Sequence, residues 1–407
     1  MRMSTSMLNE AAVAAMLQQQ SNLAKTQNEL STGKSINSPA DNPVGAVQVL
    51  ELTNSNAQVQ QYQANGQSAK SRLTLQEQAL SDSTTTLQSV RDLIVQANSG
   101  SNSSADFKAI ATQIQSLEQQ LQGIANRQDQ QGDYLFSGYS TGTQPFVRGA
   151  SGAISYVGDS GTRSIPIDSG TSVQLGDAGS AIYEGVATGN GTFTTNAATT
   201  NTGTGVVDTG TVVSAANWVA GQYTITFSDA THWQVTDSAG NPVLDAGGNP
   251  VTGTYGAGSG GSIAFNGIQV SISGAPAAGD SFTVSPSTRE SVFDSLDRMV
   301  AALNNAGSSS AARAQLSTAL GGSLQQVDQS INQVLRVTSN VGARLSLIGT
   351  TATSLDAQST TVAGQISSLT DVNYVAATAL YSQQYLALQA AQASFAQIGQ
   401  LSLFKYL

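Results

Sequence analysis

The chain has 407 residues, enough for two or three domains of ordinary size. Only 10% of them are charged and the formal net charge is −10, so solubility rests on uncharged polar groups, and no basic patch of the kind nucleic acid requires is visible. There is no cysteine and a single histidine, which excludes disulfides, thiolate metal sites and most Ser–His chemistry. Met1 to Ala15 lacks the apolar core of a secretory signal, and no run approaches the ~20 apolar residues of a membrane helix. Sequence chemistry alone therefore predicts a cytoplasmic chain with no membrane insertion and no nucleic-acid partner.

The first element is a terminal helix with a thin apolar stripe, Met16, Leu23 and Leu30, seven residues apart. It ends at Gly33, in "ELSTGKSINSPADNPVGAV" (Glu29–Val47). Gly33-Lys34-Ser35 has the form of the end of a phosphate loop. The position where that pattern needs its first glycine is Asn28, and the preceding residues read as helix, whereas a phosphate loop follows a strand. Gly33 is read instead as a helix stop, with Asn42 as the next cap and Pro43 at the first helical position.

From about Pro43 to Asn98, Leu52, Val59, Leu73, Leu80, Leu87 and Ile94 form a heptad seam that only Gly66 interrupts. At 1.5 Å per residue this predicts a helix of roughly 80 Å, which needs partners along its length. A turn, "NSGSNSSAD", follows, with Gly100 as stop and Ser104 as cap. The next helix carries two seams, Phe107, Ile114, Leu121 and Ile110, Leu117, Ile124, and is expected to fade at Gln128 and stop at Gly132.

The middle, about Gly149 to Pro286, is rich in Gly, Thr, Ser and Asn, and Arg163 is its one base. Alternating runs at Gln222–Ser228, His232–Asp237, Ser262–Ser273 and Ser281–Pro286, separated by turns, predict an antiparallel β domain. Helical periodicity returns over Ser291–Leu303. Then Val327, Val334, Val341, Ile348, Leu355, Val362 and Leu369 mark one helix of about 55 residues, with Thr338 and Ser359 as polar gaps in its second seam. A last thin stripe, Tyr374, Tyr381, Leu388 and Phe395 with Ile398, closes the pattern.

The fold class expected is α+β multidomain: a long coiled-coil-like helical bundle formed by both chain ends, with a central antiparallel β insertion domain. The divisions expected are terminal helices at 1–42 and 370–407, bundle at 43–148 and 287–369, and β insertion at 149–286. Met16, Leu23, Leu30, Tyr374, Tyr381, Leu388, Phe395 and Ile398 are candidate subunit-interface residues, because a thin stripe suits packing against copies of the same chain. The alternative is that the two ends pair with each other. Gly33, Asn42 and Pro43 are the candidate domain joint. No catalytic, cofactor or metal site is expected: His232 reads as a surface or strand residue, Asp237 and Asp245 as turn aspartates, and no carboxylate pair suggests acid–base work.

"LSTGKSINSPADNPVGA", "VGARLSLI" (Val341–Ile348) and "SLTDVNYVAATALYSQQYLALQAAQASFAQIGQLSLF" (Ser368–Phe404) resemble the signatures of the bacterial flagellin and hook-associated protein family. "GDYLFSGYSTGTQPF" (Gly132–Phe146), "GDSFTVSP" followed by "SVFDSLDRMVAAL", and "SLFKYL" (Ser402–Leu407) are similar to its hook–filament junction members. The resemblance implies a non-enzymatic, cofactor-free structural part of the flagellum, exported unfolded by the type III route and residing outside the cell. It implies a homo-oligomeric ring, the hook-side protein FlgK and flagellin as partners, and a FlgN-type export chaperone before secretion. It also implies ends, Met1–Ser38 and Asp371–Leu407, that are mobile in the monomer and ordered on assembly. Two other readings stay open: flagellin itself, and an adhesin or enzyme β domain on a helical stalk.

Overall fold

The computed structural model describes residues 5–256 and 261–403. Six helices frame the chain: α1 (Thr5–Thr32), α2 (Pro43–Ala97), α3 (Ser104–Ala125), α4 (Val292–Asn304), α5 (Ser310–Thr370) and α6 (Tyr374–Leu403). Among the described residues, fifteen short strands lie between α3 and α4. The chain forms two compact units, one running up to Asn65 and resuming at Thr350, the other being Gly66–Gly349.

In the second unit the heptad positions do what their spacing requires. Leu73, Leu80, Leu87 and Ile94 of α2 are buried in one cluster with Phe107, Ile114 and Leu121 of α3, Leu296 and Leu303 of α4, and Val327, Val334, Val341 and Ile348 of α5. Each fully buried side chain of this size is worth about 1.5–3 kcal/mol. Gly66 does not break the seam: it is buried, and a methyl there would sit 3.8 Å from Ile348 Cγ2. Of the two polar gaps in α5, Thr338 donates its hydroxyl to the Val334 carbonyl (2.9 Å).

The ends of α3 differ from the sequence expectation. Its cap is Ser103, one residue earlier than Ser104, because Asp106 closes a reciprocal capping box with it. The helix stops at Ala125, well before Gly132, because Asn126 is recruited elsewhere: its side chain accepts from the Phe146 N–H (2.9 Å) and donates to the Phe146 carbonyl (2.8 Å). One amide thus mimics a strand partner and ties the end of α3 to the start of the insertion. α5 is longer than expected, 61 residues, since Ser310–Gln326 adds helix with few heptad marks.

Strands β1 (Phe146–Arg148) with β2 (Ile154–Tyr156) and β3 (Ser164–Asp168) with β4 (Thr171–Gln174) form two small hairpins. They belong to the bundle core, not to the β domain: Phe146, Ile154, Ile167, Val173 and Tyr183 join the helix cluster. The hydrophobic clusters therefore divide near residue 190 rather than at 149, because these hairpins bury their apolar faces on the helices. Phe146 lies 5.4 Å from Tyr183 and 5.3 Å from Phe293, ring centre to ring centre. Ser83 donates to the Ala79 carbonyl (2.8 Å) and accepts from Tyr183 Oη (2.7 Å). The intervening loop is held by Asp159, which accepts from the Tyr139, Ser140 and Gly161 N–H groups (2.9, 2.9 and 2.8 Å); these bonds hold its carboxyl at about 2.

Next come β5 (Val186–Ala187), β6 (Phe193–Ala197), β7 (Val206–Val207), β8 (Thr211–Val212), β9 (Tyr223–Phe227) and β10 (His232–Asp237). They are followed by β11 (Thr252–Thr254), β12 (Gly261–Phe265), β13 (Ile268–Ser273), β14 (Ser281–Pro286) and β15 (Arg289–Glu290). An antiparallel sheet of order β11-β10-β9-β14-β6 and a second of order β12-β13-β7, with β8 also on β13, share one core. Ile225, Phe227, Phe282 and Val284 meet Ile263, Val270 and Ile272 there. Asn266-Gly267, both at positive φ (46° and 78°), make the tight turn of the β12–β13 hairpin. An eight-residue repeat, "VTDSAGNP/VLDAGGNP/VT" from Val235, is built as a triangle of backbone bonds. Val243 N–H donates to Val235 O, Val251 to Val243 and Val235 to Val251 (2.9, 2.7 and 3.0 Å).

Two outcomes test this packing. Phe146→Ala should cost about 3–5 kcal/mol in denaturant unfolding, since it empties the centre of the aromatic cluster. Burial pushes the Tyr183 phenol from 10.0 up to about 12. Its contribution is thus present below pH 10 and lost as pH rises from 10 towards 12, and Tyr183→Phe should flatten that alkaline loss of stability.

Candidate assembly surface and joint

The first unit holds the candidate site. α1 and α6 run antiparallel and pair along their length. On α1 the seam drawn out of solvent runs through Ala12, Met16, Gln19, Leu23, Thr26 and Leu30, with Asn22 and Glu29 half-buried beside it; on α6 it runs through Ala377, Tyr381, Gln384, Leu388, Ala391 and Phe395. Both runs step by four and three, the spacing of a coiled-coil seam. At mid-length Thr26 Oγ1 donates to Gln384 Oε1 (2.9 Å). The structure therefore brings Met16, Leu23, Leu30, Tyr381, Leu388 and Phe395 together inside one chain. Tyr374 stays exposed at the head of α6. Ile398 lies on α6 with its side chain outside the described residues, and of "SLFKYL" residues 404–407 fall outside them too.

The outward faces carry apolar residues that the heptad marks do not show. Leu17 is 61% exposed, Leu386 64% and Val375 81%. The start of α2 adds Val44, Val47 and Leu50, each more than half exposed and three residues apart. Their signal was legible only relative to a seam whose alternate positions are Gln, Thr and Ala.

Between the helices sits the joint. α1 ends because Gly33 takes φ 71°, with its N–H on the Glu29 carbonyl (2.9 Å). The chain then pairs with the α5–α6 connection: Ser35 N–H donates to Thr370 O (2.6 Å) and Val372 N–H to Gly33 O (2.9 Å), setting Lys34 opposite Asp371. Ser35 Oγ adds a bond to Thr370 O (3.1 Å). Asp41 accepts from Ser38 N–H (2.8 Å) and pairs with Lys25 (3.3 Å); the Ser38 bonds hold its carboxyl below the usual range. Asn42 Oδ1 accepts from Gly45 N–H (3.0 Å), and Pro43 opens α2. Gly45 is a joint residue that sequence reasoning missed: a Cβ there would lie 2.8 Å from Ile36 Cδ1. "NPVGA" carries the signal, a glycine in a first helical turn.

The chemistry of the remaining candidates is modest. Gly33-Lys34-Ser35 follows a helix and forms a β-bridge, with no cradle of N–H groups. His232 is exposed, with Nδ1 2.8 Å from Asp229 Oδ2. Asp237 and Asp245 each accept two turn N–H groups, from Ala239 and Asn241 and from Gly247 and Asn249. No described helix is long and apolar enough to cross a membrane.

Two terminal helices paired in one unit, and in the other a helical bundle with a β domain between its helices in chain order, define the class of the flagellin-type chains. Residues 3–141 match the bacterial flagellin N-terminal helical region and residues 324–407 the C-terminal helical region. Residues 195–286, which hold most of the β core, match the D2-like domain of flagellar hook-associated protein 1. Flagellar hook-associated protein 3 of Salmonella typhimurium is 32% identical over 186 residues, 46% of this chain and 58% of that relative, so the aligned part spans little more than half of it. The crystal structure of hook-associated protein 3 from Legionella pneumophila is 33% identical, with a TM-score of 0.74 over 79% of this chain and 98% of that one. Xanthomonas campestris FlgL gives 32%, 0.70, 78% and 99%. The chain belongs to the flagellar hook-associated protein 3 (FlgL) family.

Gly33→Ala should destabilise the joint by about 1–2 kcal/mol, the cost of a left-handed conformation with a Cβ; that Cβ would also press on Tyr374 Oη at 3.0 Å. Faster limited proteolysis between Thr32 and Ser38 is the expected readout, with Gly33→Asn milder than Gly33→Ala.

Proposed function

We propose that the chain is a structural adaptor of the bacterial flagellum, joining hook to filament and acting mechanically rather than catalytically. The observation that carries this reading is the near-complete overlap with Legionella hook-associated protein 3, 98% of that chain at 33% identity. In this reading the chain works outside the cell as a ring of identical copies. The hook-side protein FlgK and flagellin are its neighbours, and a FlgN-type chaperone holds it before export.

The roles divide physically. The α1–α6 pair, about residues 1–42 and 370–407, serves the inner axis, the bundle the lateral contacts, and the β domain the solvent. The pair's own seam uses Met16, Leu23, Leu30, Tyr381, Leu388 and Phe395, so the contact between copies falls to the outward residues Leu17, Val375 and Leu386, with Tyr374 and Ile398 at the two ends of α6. Exposed apolar residues arrayed along both helices support this, because such a face gains by being covered. Gly33, Asn42 and Pro43 fix the angle at which the pair leaves the bundle helices.

Deleting the gene from its bacterium should leave bare hooks and release flagellin monomers into the medium, and re-expression should restore swimming. Leu17→Glu combined with Val375→Glu should give a folded, exported chain that restores neither, since both positions are exposed in the monomer. Attached filaments in the deletion strain would overturn the reading.

A further inference from the structure

An asparagine followed by glycine is prone to self-modification, because the glycine nitrogen, unhindered by a side chain, can attack the asparagine amide. The chain has three such pairs: Asn65-Gly66, Asn190-Gly191 and Asn266-Gly267. The fold restrains them differently. Asn65-Gly66 lies inside α2, where Gly66 is buried and its N–H belongs to the helical ladder. At Asn190 the side chain is pinned at both ends. Its Nδ2 donates to the Thr209 and Gly210 carbonyls (3.2 and 3.2 Å), and its Oδ1 accepts from the Thr192 and Phe193 N–H groups (3.0 and 2.9 Å).

Asn266 has no such restraint. It is half-buried at the tip of the β12–β13 hairpin, and its side chain makes no hydrogen bond among the described residues. The ladder closes on Phe265 and Ile268, so the Gly267 N–H falls in the turn and donates to no described backbone carbonyl. The glycine is also irreplaceable. It takes φ 78°, and a Cβ on it would lie 2.3 Å from the Ser214 carbonyl oxygen and 2.9 Å from Trp218 N. The turn therefore imposes the residue that makes its neighbour reactive. One restraint opposes the reaction. Ring closure needs the Asn266–Gly267 peptide to swing out of the turn, and the Gly267 carbonyl accepts from the Val213 and Ser214 N–H groups (2.9 and 2.8 Å).

We propose that Asn266 is a self-modification site, with water as its only co-reactant, whose products open the β12–β13 hairpin. A solvent base takes the Gly267 amide proton. The nitrogen then bonds to Asn266 Cγ, the Cγ–Nδ2 bond breaks, and Nδ2 takes a proton from water and leaves as ammonia. Water opens the resulting succinimide at one of its two carbonyls, with no change of oxidation state. Opening at Cγ gives aspartate, which tolerates the left-handed φ of 46° and keeps the turn. Opening at the main-chain carbonyl gives isoaspartate, whose backbone runs through Cβ and Cγ. The added backbone atom does not fit a two-residue turn, so the pairing of Phe265 with Ile268 is lost, and the bonds of Val213 and Ser214 with it.

Ageing the full chain in warm, mildly alkaline buffer and mapping its peptides by mass spectrometry tests this. Asn266 should convert roughly ten-fold faster than Asn190, which must give up its four side-chain bonds against the two on Gly267. It should likewise outpace Asn65, whose reaction needs α2 to unwind. The rate should rise with hydroxide, since the attacking nitrogen must lose its proton. Isoaspartyl methyltransferase should label the Asn266 peptide, and hydrogen exchange should find the Val213 and Ser214 amides unprotected in the labelled chains. Asn266→Gly keeps the turn and should abolish the labelling there. Asn266→Asp adds the charge without the extra backbone atom and should leave both amides protected. Conversion of Asn266 no faster than that of Asn65 or Asn190, or isoaspartyl chains that keep both amides protected, would overturn the proposal.

Discussion

Two backbone hydrogen bonds set everything that the terminal helices do. Ser35 on Thr370 and Val372 on Gly33 join the α1–α2 connection to the α5–α6 connection. Each such bond is worth only about 0.5–1.5 kcal/mol net. Their larger effect is on register. A helix advances by 3.6 residues per turn, so a slip of one residue between α1 and α6 would rotate each face by about 100°. The seam from Met16 to Leu30 would then turn outward, and Leu17 and Val375 would turn in. Gly33 allows the clamp because its positive φ returns the chain towards Thr370 directly after the last turn of α1. Asn42 and Pro43 restart the helix once the clamp is made.

The second unit relies on a different device, since its helices must also hold the two small hairpins and the β domain. Polar ties do this at fixed points. Arg344 makes two bonds to Asp177 (2.8 and 2.8 Å), and Gln76 adds a third (2.8 Å). Arg148 reaches Glu118, whose carboxyl is buried on α3 and pushed up by burial (2.7 Å). Gln315 of α5 donates to the carbonyls of Thr199 and Asn201 (3.1 and 3.0 Å). Breaking such a buried pair on one side costs more than the pair contributes, so these contacts specify geometry more than they add stability. For the adaptor role proposed above, fixed geometry is the useful property.

The sequence showed the long helices clearly, because Leu73 to Ile94 and Val327 to Ile348 repeat without polar interruption. It showed the four main strand runs by alternation. It did not show that residues 146–174 belong to the bundle core, since three- to five-residue strands carry too little pattern to reveal which surface buries them. It missed the end of α3, because Asn126 acts through Phe146, twenty residues away. In the candidate site, Met16 to Phe395 were legible as stripes, and their mutual pairing stood as the alternative to packing between copies. The intervening positions, Gln19, Thr26, Ala377 and Gln384, look like surface residues and become seam only when α1 and α6 meet. The eight-residue repeat from Val235 was equally hidden, its signal carried by turn residues.

Cryo-electron microscopy of flagella from cells producing this chain tests the central claim most directly. The account predicts a single ring of this chain between hook and filament, with α1 and α6 paired in the inner wall and Leu17 and Val375 against neighbouring copies. Density for the chain along the filament, or a ring in which α1 and α6 of one copy are separated, would contradict it.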